Sequence, residues 1–415
     1  MAKLAINGGK KTITRPLHKR SVWDEREEKA LLEVLHSGRW WGGGPGSKVW
    51  EFEDAFAKYQ HARYSVATNS GTQALICALR AAGVEPGDEV LVPALSFFAS
   101  VTCVLFINAV PVFVDADPFF NPSARALEAA ITERTRAAVI VHNGGYPADM
   151  DAIMEVSRRH NLPIIEDCSH AHGSEWKGVR VGSIGHLGAF SLMQGKTLGG
   201  GEGGIVLTNE LELRQKLYAF MDMGRWIQRP DKSVRLNFTS QFRMPEWSAA
   251  MLLAQLTRLD EQVETRERNF TYLAKGLEEI DGVKAFKRDP RVTRWSIYYW
   301  NFRYEQDKFD GIPRDRFLEA VEAEGAPIGV GAHGEPIYQN PLFQEMTGGR
   351  TWPIRCPGYP KPIDYTQVHC PEAERIYETE ALSIGHSCFL GGQADMDLIL
   401  EAIRKVRANT DELRR

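Results

Sequence analysis

Tyr64-Ser65-Val66-Ala67-Thr68-Asn69-Ser70-Gly71-Thr72-Gln73-Ala74-Leu75-Ile76-Cys77-Ala78-Leu79-Arg80-Ala81-Ala82 runs from a short β-rich segment, through four small polar residues, into good helix formers. Tyr64–Thr68 reads as a strand, Thr72–Ala82 as a helix, and residues 69–72 as the turn that joins them. The unit recurs downstream. The turn Glu85-Pro86-Gly87-Asp88 leads into strand Glu89–Val92, a helix spans Phe97–Ile107, and Val110–Val114 forms the next strand. A helix from Ser123, strand Ala137–Val141, helix Met150–His160 and strand Pro163–Glu166 follow, and the apolar runs Leu187–Ser191 and Gly204–Thr208 complete seven strands. Strand-helix alternation of this kind predicts an α/β protein whose mainly parallel sheet is covered on both faces.

Past residue 263 the pattern changes. A helix Glu261–Glu279 leads to a strand-like run Trp295–Tyr304, a helix Arg314–Glu324, a Pro/Gly-rich irregular stretch (325–371) and a final helix Met396–Arg407. This reads as a smaller α+β domain, which divides the chain into an N-terminal arm (1–30), a large domain (31–262) and a small C-terminal domain (263–415). At 415 residues the chain is long enough for two domains with ample core. Fifty basic against 54 acidic residues leave a net charge of −4 with no basic block, which gives no electrostatic case for nucleic acid. Cys77, Cys103, Cys168, Cys356, Cys370 and Cys388 form no CxxC pair and read as free thiols in a reducing compartment. The first residues lack the apolar core of a signal peptide, and the apolar stretch Ser96–Val114 is broken by Asn108 and Pro111. A helix followed by a strand explains it better than a membrane span, so a cytoplasmic location is expected.

Ligands of parallel α/β sheets gather at the carboxyl ends of the strands, and three segments fall there. Lys196, in Ala189-Phe190-Ser191-Leu192-Met193-Gln194-Gly195-Lys196-Thr197-Leu198, is flanked by small and apolar residues. It is either a loop lysine with its head in water or an amine whose pKa is lowered by desolvation, able to condense with an aldehyde. Asn69-Ser70-Gly71-Thr72 starts a helix, where unpaired amides and the helix dipole suit a phosphate; a plain N-cap by Ser70 or Thr72 explains it equally simply. Asp167, in Ile164-Ile165-Glu166-Asp167-Cys168-Ser169-His170-Ala171-His172, ends a buried strand. It has three readings: an acid that keeps a pyridinium nitrogen protonated, a strand-end cap, or a metal ligand with His170 and His172. Phe97 or Phe98 is placed to stack on a flat cofactor, or to fill the core. The glycine runs at 42–46 and 199–204 match neither a dinucleotide fingerprint nor a P-loop. Cradle, stacking aromatic, ring-nitrogen acid and aldehyde-condensing lysine are the parts of a pyridoxal phosphate (PLP) site.

Those segments, with Gly38–Gly46, EPGDEVLVPALSFFAS (85–100), PVFVDAD (111–117), GYPADMDAI (145–153), FSLMQGKTLGGGEGG (190–204) and SQFRMPEWSAAMLLAQL (240–256), resemble the sugar and cyclitol aminotransferases of the DegT/DnrJ/EryC1/StrS family. The resemblance implies fold type I PLP architecture. It implies that Lys196 condenses with the cofactor aldehyde and shuttles a proton, that Asp167 pairs with the pyridine nitrogen, and that His170, where many relatives have Gln, sits near the ring hydroxyl. Phe97 would stack on the ring, and Ser70, Gly71, Thr72 and Ser191 would hold the phosphate. A neighbouring subunit would complete each site of a homodimer through Gln241-Phe242-Arg243, with Gln in place of the family's Asn. Lys196 separates the chain from the dehydratase branch, which has histidine there. Pro336-Ile337-Tyr338-Gln339-Asn340-Pro341-Leu342-Phe343 is similar to the branch of glutamine:scyllo-inosose aminotransferases and aminohydroxybenzoate synthases. The implied activity moves an amino group from glutamine or glutamate to the ketone of a cyclitol or keto-sugar. Alternatives are a dehydratase/aromatase resembling 3-amino-5-hydroxybenzoate synthase, and a non-catalytic regulator on the same scaffold. Arg243, His333 and Tyr338 are candidate substrate-facing groups, the last two also readable as a structural histidine and a core tyrosine.

Overall fold

The seven apolar runs pair into one sheet in the computed structural model, which describes residues 3–17, 22–42, 44–224, 240–346, 359 and 364–414. They are β1 (Tyr64–Thr68), β2 (Glu89–Pro93), β3 (Val110–Val114), β4 (Thr135–Val141), β5 (Ile164–Asp167), β6 (Leu187–Ser191) and β7 (Gly204–Thr208), in the order β1-β7-β6-β5-β4-β2-β3. β7 is antiparallel to both its neighbours, and the other pairs are parallel. The expected mainly parallel α/β sheet is therefore what the chain adopts. Alternate residues of each strand enter different cores: Val66, Val92, Ile165 and Val206 one, Ala67, Leu91, Ile164 and Ile205 the other. Both sets are apolar, so both faces need helices.

Those helices are α1 (Glu25–Ser37), α2 (Lys48–Tyr59), α3 (Gly71–Ala81), α4 (Ala99–Phe106), α5 (Ala124–Ala129), α6 (Met150–His160) and α7 (Leu211–Met221). Leu75 and Leu79 of α3 and Val101 of α4 join the first core; Phe52 and Phe56 of α2 and Ile153 of α6 join the second. Helices α8 (Glu246–Leu256) and α9 (Leu259–Leu277) lead to an antiparallel sheet of β8 (Val283–Ala285), β9 (Tyr299–Tyr304), β10 (Ile328–Val330) and β11 (Ala381–Gly385), in the order β8-β9-β11-β10. α10 (Arg314–Ala323) and α11 (Gln393–Ala408) belong to the same part of the chain.

Three departures from the sequence reading matter for the site. The helix expected from Phe97 begins at Ala99, which leaves the Phe97 ring outside the helix and 57% exposed. The strand expected from Trp295 begins at Tyr299. Its first four residues instead cross between the sheets, with the Ser296 amide donating to Ser174 Oγ (2.9 Å) and the Tyr298 amide to the Gly144 carbonyl (3.1 Å). The stretch 325–371 holds β10, a 3-10 turn Ile337–Gln339 and a short helix Pro341–Met346; Cys356 and other parts of that stretch, and Gly43 of the run 42–46, lie outside the described residues. Cys77, Cys103, Cys168, Cys370 and Cys388 are free and buried. Among the described residues no helix is long and apolar enough to cross a membrane.

Candidate active site

The carboxyl ends of β1, β5 and β6 converge on a cavity of about 310 Å³. Close backbone approach brings α3 there. A Cβ on Gly71 would lie 2.6 Å from Ser191 Cβ, and one on Gly204 would lie 2.2 Å from the Ser70 carbonyl oxygen. Only glycine lets the first turn of α3 meet the end of β6. Ser70 Oγ accepts from the Gln73 amide at 3.2 Å, and the Ala74 amide donates to the Ser70 carbonyl at 3.0 Å. The amides of Gly71 and Thr72 are left without a protein acceptor among the described residues, so the N-cap and the anion cradle coexist.

Asp167 ends β5 and is almost fully buried. Its carboxylate accepts from Ser100 Oγ at 2.6 Å and from the Ser169 amide at 3.1 Å, and Ser100 Oγ lies 2.7 Å from Ser96 Oγ. This anchoring on α4 holds the acid at the cavity wall. Lys196 lies on the loop after β6, which folds back through the amides of Leu192 (to Gly203, 2.8 Å), Gln194 (to Gly201, 2.8 Å) and Gly200 (to Leu192, 2.9 Å). Its Nζ stands 4.3 Å from the centre of the Tyr298 ring. Burial pulls the amine down from 10.5 to about 8, against a smaller upward pull from Asp167. Of the two readings of Lys196, the desolvated amine is the one the fold produces. The same lysine also borders a second cavity of about 510 Å³ with Trp23, Arg266 and His386. The acid and the anion cradle lie in the smaller one.

His170 stacks on Tyr298 (4.4 Å between centroids, 11° between planes) and meets His333, Nε2 to Nε2, at 2.9 Å. Its Nδ1 is buried with no partner among the described residues. Phe97 lines the cavity with its ring 5.9 Å from His333. Thus Ser70, Gly71, Thr72, Phe97, Asp167, His170, Ser191, Lys196 and His333 come together around one space. Gln241, Arg243 and Tyr338 do not. Gln241 is exposed; Arg243 pairs with Asp222, and its guanidinium carbon lies 5.5 Å over the Trp41 ring. The Phe242 carbonyl between them accepts from the Asn69 amide at 2.7 Å, which pins the segment beside the start of α3. Tyr338 is a core residue: only 2% exposed, it packs on Phe113, donates to Glu374 Oε1 at 2.5 Å and accepts from the Cys370 amide at 3.0 Å. Its apolar surroundings, not a ligand, explain its burial.

The metal reading of Asp167, His170 and His172 finds Asp167 and His172 committed elsewhere. His172 bonds the Ser191 carbonyl through Nε2 (2.9 Å) and Thr197 Oγ1 through Nδ1 (3.0 Å), clamping β6 to the residue after Lys196. A tighter group, His142, Glu166 and Cys168, is buried nearby. Its carboxylate is filled by the amides of Gly182 (2.8 Å), Ile184 (2.9 Å) and Gly185 (2.6 Å), which marks it as a structural hub. Sequence reasoning missed Tyr298, which lay inside an apparent strand, and the clamp by His172. It also missed Ser100, whose position one helical turn after Ser96 was the available signal.

A desolvated amine, an anchored acid and an anion cradle at the carboxyl edge of such a sheet are the architecture of fold type I transferases. The chain belongs to the DegT/DnrJ/EryC1/StrS aminotransferase family, whose profile matches residues 22–356. It is 37% identical, over the full length of both chains, to an L-glutamine:2-deoxy-scyllo-inosose aminotransferase of Micromonospora echinospora. To the L-glutamine:scyllo-inosose aminotransferase of Streptomyces griseus it is 36% identical, again with both chains fully covered. The crystal structure of 3-amino-5-hydroxybenzoic acid synthase superposes with a TM-score of 0.80 at 32% identity, covering 96% of this chain and 100% of that one.

Proposed function

We propose that this aminotransferase is PLP-dependent and transfers an amino group from L-glutamine to the ketone of a scyllo-inosose-type cyclitol in two half-reactions. The single observation that carries the cofactor reading is Lys196: an amine held near pKa 8 by burial, in the same cavity as Asp167 and the open amides of Gly71 and Thr72. The donor set fits the group. Gly71, Thr72 and Ser191 suit its phosphate, Phe97 its ring face, Asp167 its ring nitrogen, and Lys196 its aldehyde. Bound there, PLP supplies an electron sink for negative charge on the substrate carbon. The chain's own residues do the rest. Asp167, whose carboxylate is oriented by Ser100 Oγ and the Ser169 amide, would pair with the ring nitrogen. Lys196 Nζ would carry the proton from the donor's α-carbon to the cofactor's C4′ in the first half-reaction and from C4′ to the acceptor's carbon in the second, a role that needs an amine neutral in part at physiological pH.

The donor and acceptor classes rest on the names of the two full-length relatives. We further infer a homodimer in which Gln241 and Arg243 serve the partner's cavity; that neither lines its own cavity supports this. The test is the near-ultraviolet and visible spectrum of the purified protein with PLP, before and after L-glutamine or L-glutamate, followed by product analysis with scyllo-inosose. Loss of the visible band with glutamine and recovery of an aminocyclitol are expected. A band that survives in Lys196→Ala would refute the role of Lys196. An aromatic product from an aminated cyclohexenone would favour the synthase-like dehydration suggested by the solved relative.

A further inference from the structure

His333 reaches the cavity from the turn after β10, and the backbone there is forced. Ala332 and His333 both have positive φ, 58° and 69°, a region that residues carrying a Cβ avoid. Two such residues in succession persist only where their surroundings over-determine them. Here the Gly331 amide donates to the Ala381 carbonyl (3.2 Å), the Ala332 amide to Asn301 Oδ1 (3.2 Å), and the Ile337 amide to the Ala94 carbonyl (2.9 Å). The product of that constraint is the 2.9 Å contact between His333 Nε2 and His170 Nε2.

A hydrogen bond between two ring nitrogens holds one proton: one ring donates and the other is bare. Both rings are neutral at neutral pH. Burial pushes His333 down to about 4 and His170 well below 6.5, and the Lys196 ammonium adds to both. The other groups acting on His170 are His333, His172 and His142, and Asp167 stands in the same cavity wall. Each neutral imidazole carries one proton, so the tautomer of either ring dictates that of the other. His170 Nδ1, buried and without a partner among the described residues, is the nitrogen whose state follows from the choice.

We propose that His333 is a positioning residue: through this one shared proton it couples its tautomer to that of His170, and so governs which His170 nitrogen carries a proton at the cavity wall. The proposal rests on the PLP reading above for the identity of the cavity's occupant. His170 belongs to the loop after β5 and His333 to the C-terminal sheet. The pair is therefore assembled only when the two parts of the chain are docked.

The first arm of the test needs no cofactor. In ¹⁵N-histidine-labelled protein, long-range proton-nitrogen correlation will show one neutral tautomer at each ring, with a protonated nitrogen facing a bare one across the contact. His333→Phe keeps a ring for Phe97 and Tyr299 to pack on but has no nitrogen, and His170 will then show averaged, mixed nitrogen shifts. His333→Gln, which restores a hydrogen-bonding partner for His170 Nε2, will move the His170 shifts back from the His333→Phe values toward the native ones. Unchanged His170 shifts in His333→Phe would overturn the proposal whatever the fate of the PLP reading. In the second arm, the pH midpoint of the visible band of the PLP-loaded protein will move by about one unit in His333→Phe, a tenfold change in the proton equilibrium. It will return close to the native midpoint in His333→Gln. Equal midpoints in all three proteins would show that His333 only packs.

Discussion

Raising the pH of the cofactor-free chain from 6 to 10 will titrate Lys196 well before its exposed counterparts. An amine with the ordinary value of 10.5 is neutral in about one molecule in 3,000 at pH 7, whereas one at about 8 is neutral in about one in ten. The gain in free amine is about 300-fold. Brief reductive alkylation with a small aldehyde at a series of pH values, read by peptide mass spectrometry, measures it, with the exposed Lys58 of α2 in the same digest as reference. The Lys196 peptide should reach half its maximal rate near pH 8. Asp167→Asn should lower that midpoint further, because the carboxylate is the charge that holds the lysine up. The stability linkage has a definite sign. The folded pKa lies below the unfolded one, so between about pH 8 and 10.5 the unfolded chain binds more protons, and stability rises with pH across that window. Below it the full cost of roughly 3 kcal/mol is present. Lys196→Met should therefore raise the melting temperature of the cofactor-free chain at pH 7, with the gain shrinking as pH approaches 10.5. A Lys196 midpoint at pH 10 or above, or a constant Met gain across the range, would refute the desolvation argument.

Gly71→Ala would place a Cβ 2.6 Å from Ser191 Cβ; overpacking of about 1–3 kcal/mol should weaken PLP binding about tenfold or more by spectroscopic titration. Native affinity with only a lower melting temperature would mean the cradle does not hold the phosphate. Tyr338→Phe leaves the Cys370 amide and Glu374 short of a partner, so it should cost about 1–2 kcal/mol of stability with KM unchanged. A raised KM at native stability would make Tyr338 a substrate contact after all. Lys196→Ala and Arg243→Gln should each be nearly inactive alone. Mixed and allowed to exchange subunits, they should regain roughly a quarter of native activity, since half the dimers are hybrids with one intact site; no recovery would argue against shared sites.

How much of this was legible in the sequence follows from the range of the interactions involved. The strand-turn-helix units from Tyr64 to Thr208 are local in origin, encoded by β-rich runs, helix formers and turn residues, and apart from the start of α4 they appear close to where expected. Short elements were less visible. β11 (Ala381–Gly385) has no strong local signal, and it forms because β9 and β10 pair with it on either side. Trp295–Tyr298 looked like the start of a strand, yet their backbone partners are Ser174 and Gly144, more than 100 residues earlier. That detour is what places Tyr298 under Lys196.

The site divides the same way. Lys196, Asp167 and the Asn69–Thr72 turn were readable because each sits just after a strand, and in a parallel sheet the carboxyl ends share an edge. The order of the strands, the 2.9 Å meeting of His170 and His333, and the removal of Tyr338 to the core depend on contacts between residues far apart in the chain. So does the state of Lys196. Its neighbours in sequence are small and apolar, but the lowered pKa comes from the packing of Tyr298 and the cavity wall around Nζ. Local periodicity is enough to place these chemical groups at the edge of the sheet. Only the tertiary structure decided how they are charged and paired, because desolvation and hydrogen bonding depend on which distant residues close around them.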